Sequence, residues 1–105
     1  LIKQDFDNSF KSVDAILTPS TPNSSFKMGE KEGDPVSMYL NDIFTVPVNL
    51  AGLPAISVPS GYDKKKLPLG LQLIGKPFDE QTILNLSLAL QKRINFKRNV
   101  TIWWK

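Results

Sequence analysis

The sequence predicts an α/β fold with a mixed sheet, and three observations carry that expectation. Short, almost wholly apolar segments bounded by proline or glycine read as buried strands at residues 15–18, 54–59 and 69–74. Apolar residues recur at helical spacing before the first of these strands and after the last. An Asp-Pro helix start, Asp34-Pro35, lies between the first two. The resulting order (helix, strand, long loop, helix, strand, strand, helix) is that of helices layered on a sheet.

Each element has a local cause. In residues 1–13, Ile2, Phe6, Phe10 and Val13 are spaced by four, four and three and share a stripe, with Asp5, Asn8 and Lys11 opposite. Asp14 breaks the pattern. Ala15-Ile16-Leu17-Thr18 then reads as a short strand ended by Pro19, which has no N–H to give a ladder. Residues 19–34 form a loop of a length that usually serves a function or covers something. From Pro35 a helix is expected to reach 44 or 45, where Pro47 disturbs it, and Asn49-Leu50-Ala51-Gly52 adds a turn closed by glycine. The second and third strands, joined through Lys64-Lys65-Lys66, form an antiparallel hairpin. The first and second flank a helix, as a parallel crossover would. In the last helix Asp79 is the expected cap, Glu80 occupies the first turn and Lys92 and Arg93 the last. Its stripe is Ile83, Leu86, Leu90 and Ile94, widened by Leu84 and Leu88. Residues 95–105 make a basic, aromatic tail ending in Trp103-Trp104.

Composition removes many chemistries. The 105 residues amount to one domain at most, and with His 0 and Cys 0 there is no Ser-His-Asp triad, thiol nucleophile, disulfide or His/Cys zinc site. A net charge of +3 is a weak argument for nucleic acid. No apolar run approaches the roughly 20 residues of a membrane span, and the lack of Cys agrees with the cytosol. The chain opens at Leu1 inside an apolar-periodic segment, and three strands with three helices cover a two-faced sheet thinly. It reads as a piece of a longer protein: 1–94 an incomplete part of one domain, 95–105 a tail.

Asp42 is the residue that stands out. It shares a helix face with Met38 and Tyr39, beside Ile43, Phe44 and Val46, where a carboxylate is costly unless a cation or several donors meet it. Helix position alone favours a plainer role, with its carboxylate bonding the N–H groups freed near Pro47. Ser57 and Ser60 stand at a strand end, where sites gather in α/β sheets, but outside any nucleophile-elbow pattern. Lys64, Lys65 and Lys66 fit a solvated turn better than a phosphate site, since no aromatic residue interleaves with them. Lys97 and Arg98 with Trp103 and Trp104 fit a stacking or docking tail equally with a frayed end. The glycines stand singly, with no phosphate-cradling loop.

Residues 34–80, "DPVSMYLNDIFTVPVNLAGLPAISVPSGYDKKKLPLGLQLIGKPFDE", resemble the C-terminal region of amidase-signature enzymes, and "LTPSTPNSSFKMGEK" upstream fits the same family. "NLAGLPAISVPSG" and "LPLGLQLIGKPFDE" resemble family-wide hallmarks. "MYLNDIFTVPVNLAG" resembles the A subunits of glutamyl-tRNA(Gln)/aspartyl-tRNA(Asn) amidotransferases. The resemblance covers residues 1–94 and implies a C-terminal fragment of an α/β/α fold around a mixed sheet. It also implies glutamine hydrolysis by a Lys–Ser–Ser triad that lies outside this chain, so no catalytic residue maps here. Ammonia then passes to partner subunits of a heterotrimer that amidates aminoacyl-tRNA. The complete complex would use ATP and Mg, with no cofactor in this stretch and no membrane. By motif match, Asp42 is the residue that meets the α-ammonium of glutamine, and the resemblance tips the weighing toward that substrate-binding role. Ser60 departs from relatives that carry cysteine there. Two other readings remain: a different amidase of the same superfamily, and a non-catalytic interaction piece.

Overall fold

The computed structural model describes residues 2–29 and 33–96. In chain order they form α1 (Ile2–Ser9), β1 (Ala15–Pro19), α2 (Pro35–Leu40), α3 (Val46–Leu50), β2 (Ala55–Tyr62), β3 (Pro68–Gly75) and α4 (Glu80–Ile94). Every predicted element is present. The expected tail, beyond Phe96, lies outside the described residues, and Phe96 itself stacks on Tyr62 with ring centroids 4.8 Å apart.

The expected parallel crossover is present in split form, with a third strand between its two strands. The sheet runs β1-β3-β2, and both pairings are antiparallel. β1 and β2 therefore run in the same direction but do not touch, because β3 lies between them. β3 takes the centre, and its end from Gln72 to Gly75 is buried throughout. β1 lies on the outer side of β3 and is half-exposed, Leu17 retaining 55% of its surface. The expectation that all three strands are buried on both faces fails for β1 and for β2, where Val58 alone is buried, and holds for the second half of β3.

Register sorts the side chains. Directly opposed residues share a face, so Leu17, Leu73 and Ile56 turn one way and Ile16, Ile74 and Ala55 the other. The first face carries α4, which packs on β2 and β3. The second carries α1 and α3, where Phe10, Val48, Ala51, Leu53 and Ile74 form the buried cluster, with Phe6 and Ile16 against it. Phe6 and Phe10 of the predicted stripe thus reach the core, whereas Ile2 and Val13 stay exposed. In α4 the buried residues are Ile83 and Ser87, the Ser87 hydroxyl donating to the Ile83 carbonyl. The predicted stripe was too wide, since Leu84, Leu86 and Leu88 face out.

Capping and turn chemistry set the helix limits. The Asp34 carboxylate accepts from Ser37 N at 3.1 Å, and Pro35 opens α2 where a missing N–H costs nothing. The helix expected to reach 44 or 45 stops at Leu40. A turn over 41–45 follows, and α3 starts afresh with Thr45 as its N-cap and Pro47 in its first turn. Gly52, at φ +70, closes α3 in the left-handed conformation that glycine adopts without strain. Asp79 stands at the N-cap of α4, but its side chain makes no capping hydrogen bond, against the expectation. Asn95 ends α4 in the left-handed region.

Candidate functional site

The face that carries α1 and α3 changes character along β3. Next to the apolar row of Ile16, Ile74 and Ala55 lies a polar one, Thr18, Gln72 and Ser57. Gln72 is 6% exposed and donates twice through Nε2, to Thr18 Oγ1 at 3.1 Å and to the Phe44 carbonyl at 2.9 Å. Further along the same face, Ser20 donates its N–H to Gly70 O at 3.1 Å, and its hydroxyl lies 2.6 Å from that of Ser57. The two serine hydroxyls meet across β3 because Gly70 has no side chain between them. A Cβ there would stand 3.0 Å from Ser20 Oγ and 3.1 Å from Ser57 Oγ.

Asp42 sits in the turn above this polar row. Its N–H donates to Tyr39 O at 3.1 Å, and its carbonyl accepts from Thr45 N at 3.2 Å and Val46 N at 3.0 Å. Thr45 Oγ1 adds a contact to the same carbonyl at 3.4 Å. The plainer role considered for Asp42 is therefore filled by the other end of the residue: its main-chain carbonyl, not its carboxylate, meets the amides around Pro47. The carboxylate is exposed and accepts no hydrogen bond among the described residues. Around it Met38, Tyr39, Ile43 and Val46 also face solvent, Tyr39 at 68%. α2 and the turn thus present an uncovered apolar surface with one uncommitted anion on it.

The other singled-out residues resolve differently. Ser57 belongs to the hydroxyl pair just described, and Ser60 lies at the bulge of β2 between Pro59 and Gly61. The lysines occupy a hairpin turn built by Asp63, whose Oδ1 accepts from Lys65 N at 2.8 Å and Leu67 N at 2.9 Å. The Ser24 hydroxyl donates to Oδ2, tying the long loop to the hairpin. That bond first, then the Leu67 and Lys65 amides and the Lys65 charge, hold the Asp63 carboxyl below its ordinary value, against some opposition from burial. The turn's lysines are not without aromatic company. A cavity of about 260 Å³ is lined by Ser25, Phe26, Lys27, Lys65 and Leu67, so the loop supplies the ring that the local sequence lacks. Lys97, Arg98, Trp103 and Trp104 lie outside the described residues. Among the described residues no group of three or more His, Cys, Asp or Glu could hold a metal ion, and no helix is long and apolar enough to cross a membrane.

Gln72 and Ser20 were missed in the sequence. The signal available was a single amide in an otherwise apolar strand, aligned with Thr18 and Ser57 in the other two. Without the strand order, nothing brings those three together.

Fold and sequence define the class. A family model described as Amidase matches residues 1–84, and the chain belongs to that family. Within it, the chain is 69% identical over 104 residues to the glutamyl-tRNA(Gln) amidotransferase A subunit of Pelagibacter ubique, covering 99% of this chain and 21% of the relative. It is 57% identical to the corresponding A subunit of Novosphingobium aromaticivorans, with the same 99% and 21% coverage. The chain therefore spans about one fifth of the length of the curated relatives it matches. Among solved structures, the glutamyl-tRNA(Gln) amidotransferase A subunit of Thermotoga maritima superposes with a TM-score of 0.85 at 43% identity, over 92% of this chain and 21% of that one. The allophanate hydrolase of Kluyveromyces lactis superposes with a TM-score of 0.73 at 32% identity, over 94% and 16%. The architecture is that of amidase-signature proteins.

Proposed function

We propose that this chain is the C-terminal part of the glutamine-hydrolysing component of an aminoacyl-tRNA amidotransferase. The complete component hydrolyses glutamine with a Lys–Ser–Ser triad that this chain does not supply, and the ammonia converts Glu-tRNA(Gln) to Gln-tRNA(Gln). The observation that carries the reading is the 69% identity to a glutamyl-tRNA(Gln) amidotransferase A subunit over nearly the whole chain. The reading makes the other subunits of a cytoplasmic heterotrimer the partners of this surface. It leaves ATP and Mg²⁺ to the rest of the complex.

Asp42 is the substrate-binding residue in this reading. Glutamine carries an α-ammonium, and an anion in a partly dry pocket holds it by a charge-assisted hydrogen bond. Two features support the assignment: the carboxylate has no partner among the described residues, and its main chain is fixed by hydrogen bonds on both sides. In the assembled amidotransferase, Asp42→Asn should cost on the order of 2–4 kcal/mol in kcat/KM for glutamine and leave free ammonia usable. Equal damage with both nitrogen sources would reject the role. The 105-residue chain by itself should turn over no glutamine.

A second reading, another amide hydrolase of the family, draws on the likeness to allophanate hydrolase. Assay of the complete protein with glutamine and with simple neutral amides separates the two. Turnover of the neutral amides and not of glutamine would favour the second.

A further inference from the structure

Gln72 is expensive to keep where it is. It lies in the central strand, 6% exposed, on the face that buries Ile74 one row away. A buried amide is tolerated only when its polar atoms are matched. The NH2 group of Gln72 meets that demand by crossing two boundaries at once. One bond of its Nε2 reaches β1 through Thr18, and the other leaves the sheet for the Phe44 carbonyl. Phe44 belongs to the same 41–45 turn as Asp42. From above, the turn is drawn together by the Asp42 carbonyl, which collects the Thr45 and Val46 amides. From below, it is held by the Gln72 amide. α2, on the upstream side, joins the turn through backbone bonds from the Asn41, Asp42 and Ile43 amides, but Val36, Met38 and Tyr39 stay in solvent, so α2 does not itself anchor the turn to the sheet through these side chains. The height of Asp42 over the sheet is thus set from below by a side chain whose amide nitrogen has both its donors committed.

We infer that Gln72 is a positioning residue, fixing the Asp42 turn through the Phe44 carbonyl and thereby setting the affinity for the α-ammonium of the amide substrate. The inference rests on the substrate role of Asp42 proposed above. Removing the Phe44 bond lets the turn shift, which weakens the contact with the ammonium and leaves the chemistry of the distant nucleophile alone.

The test uses the assembled amidotransferase whose glutamine-hydrolysing component carries this sequence, assayed with glutamine and with ammonia. Gln72→Met keeps the length of the side chain and loses its donors. Gln72→Glu is nearly isosteric but puts an acceptor oxygen where Nε2 donates, so the tie to the Phe44 carbonyl is lost and the Thr18 contact is kept only by turning that hydroxyl from the Pro19 carbonyl to donate to the carboxylate. Both should raise KM for glutamine about tenfold, the scale of one hydrogen bond. Both should leave kcat and the ammonia-dependent rate unchanged. Thr18→Val, which spares the Phe44 bond, should leave KM for glutamine unchanged. Combined with Asp42→Asn, Gln72→Met should add no further rise in KM, because both act on one contact. If Asp42→Asn raises KM and neither Gln72 variant does, the positioning role is overturned and the Asp42 reading stands. If Asp42→Asn has no effect on glutamine use, both fall together. Loss of ammonia-dependent activity in step with glutamine-dependent activity, a rise in KM with Thr18→Val as large as that with Gln72→Met, or multiplicative effects in the double variant would each overturn the inference.

Discussion

Gly75 of β3 lies directly beneath Ile83 of α4: a Cβ built on the glycine would come within 2.6 Å of Ile83 Cγ2. No real pair of carbons sits that close, so the missing side chain sets how near the helix approaches the sheet. The same glycine donates its N–H to Pro54 O at 2.9 Å, which fixes the strand from the other side and leaves it little room to retreat.

Gly75→Ala should therefore overpack this contact and destabilise the protein by roughly 1–3 kcal/mol in chemical denaturation. Ile83→Ala opens space at the same point. The double variant should be more stable than the sum of the two single losses predicts, since the sites are in contact. Strict additivity would mean that the helix and strand are not limited by this pair.

The serine pair across β3 predicts a milder effect at Gly70. An added Cβ 3.0 Å from Ser20 Oγ and 3.1 Å from Ser57 Oγ can be relieved by rotating either hydroxyl, at the expense of their mutual hydrogen bond. Gly70→Ala should cost about 1 kcal/mol, the net worth of one such bond. In a Ser57→Ala background, where the bond is already gone, most of that penalty should disappear. Thermal unfolding of the four proteins measures it.

Asp63 predicts a pH dependence with a definite sign. Its carboxyl is held below the ordinary value by the Ser24 hydroxyl, then by the Leu67 and Lys65 amides. A group with a lowered folded-state pKa contributes stability that is fully present above the unfolded value, about 4 for Asp, and is lost as pH falls through the folded value. The protein should lose stability on acidification through that window. Asp63→Asn should lower stability at neutral pH and flatten the acid limb, as read from melting temperatures across a pH series. An unaltered acid limb would show that the hairpin turn and the 24–29 loop are not coupled through this carboxylate.

Much of this architecture could be read from the chain before any coordinates. Proline and glycine punctuation places all three strands within three residues of their limits, and Asp34-Pro35 and Gly52 mark helix ends where they occur. Strand order could not be read so well, because β3 inserts between strands that precede it in sequence, and nothing local tells β1 which neighbour it will find more than 50 residues away. The break after Leu40 was missed for a related reason. Met38, Tyr39, Ile43 and Val46 keep a helical spacing, so the apolar pattern continues while the backbone turns. At the candidate site, Asp42 stands out as a carboxylate among apolar neighbours, and the substrate role proposed for it rests on the resemblance. Gln72 was invisible, since a lone polar residue in a strand reads as an outward-facing one until the element lying over it is known.

The position of β3 also sets which contacts are local and which must be closed over a long separation as the chain acquires its structure. The β2–β3 hairpin needs only the tight turn at Asp63, and such hairpins close in about 1–10 μs. α4 follows immediately in sequence and seals one side. β1 gains most from that platform, since among the described residues its ladder is with β3, across a separation whose closure costs more entropy than the hairpin's. The earliest strand of this stretch thus finds its ladder partner only after the hairpin has left the ribosome.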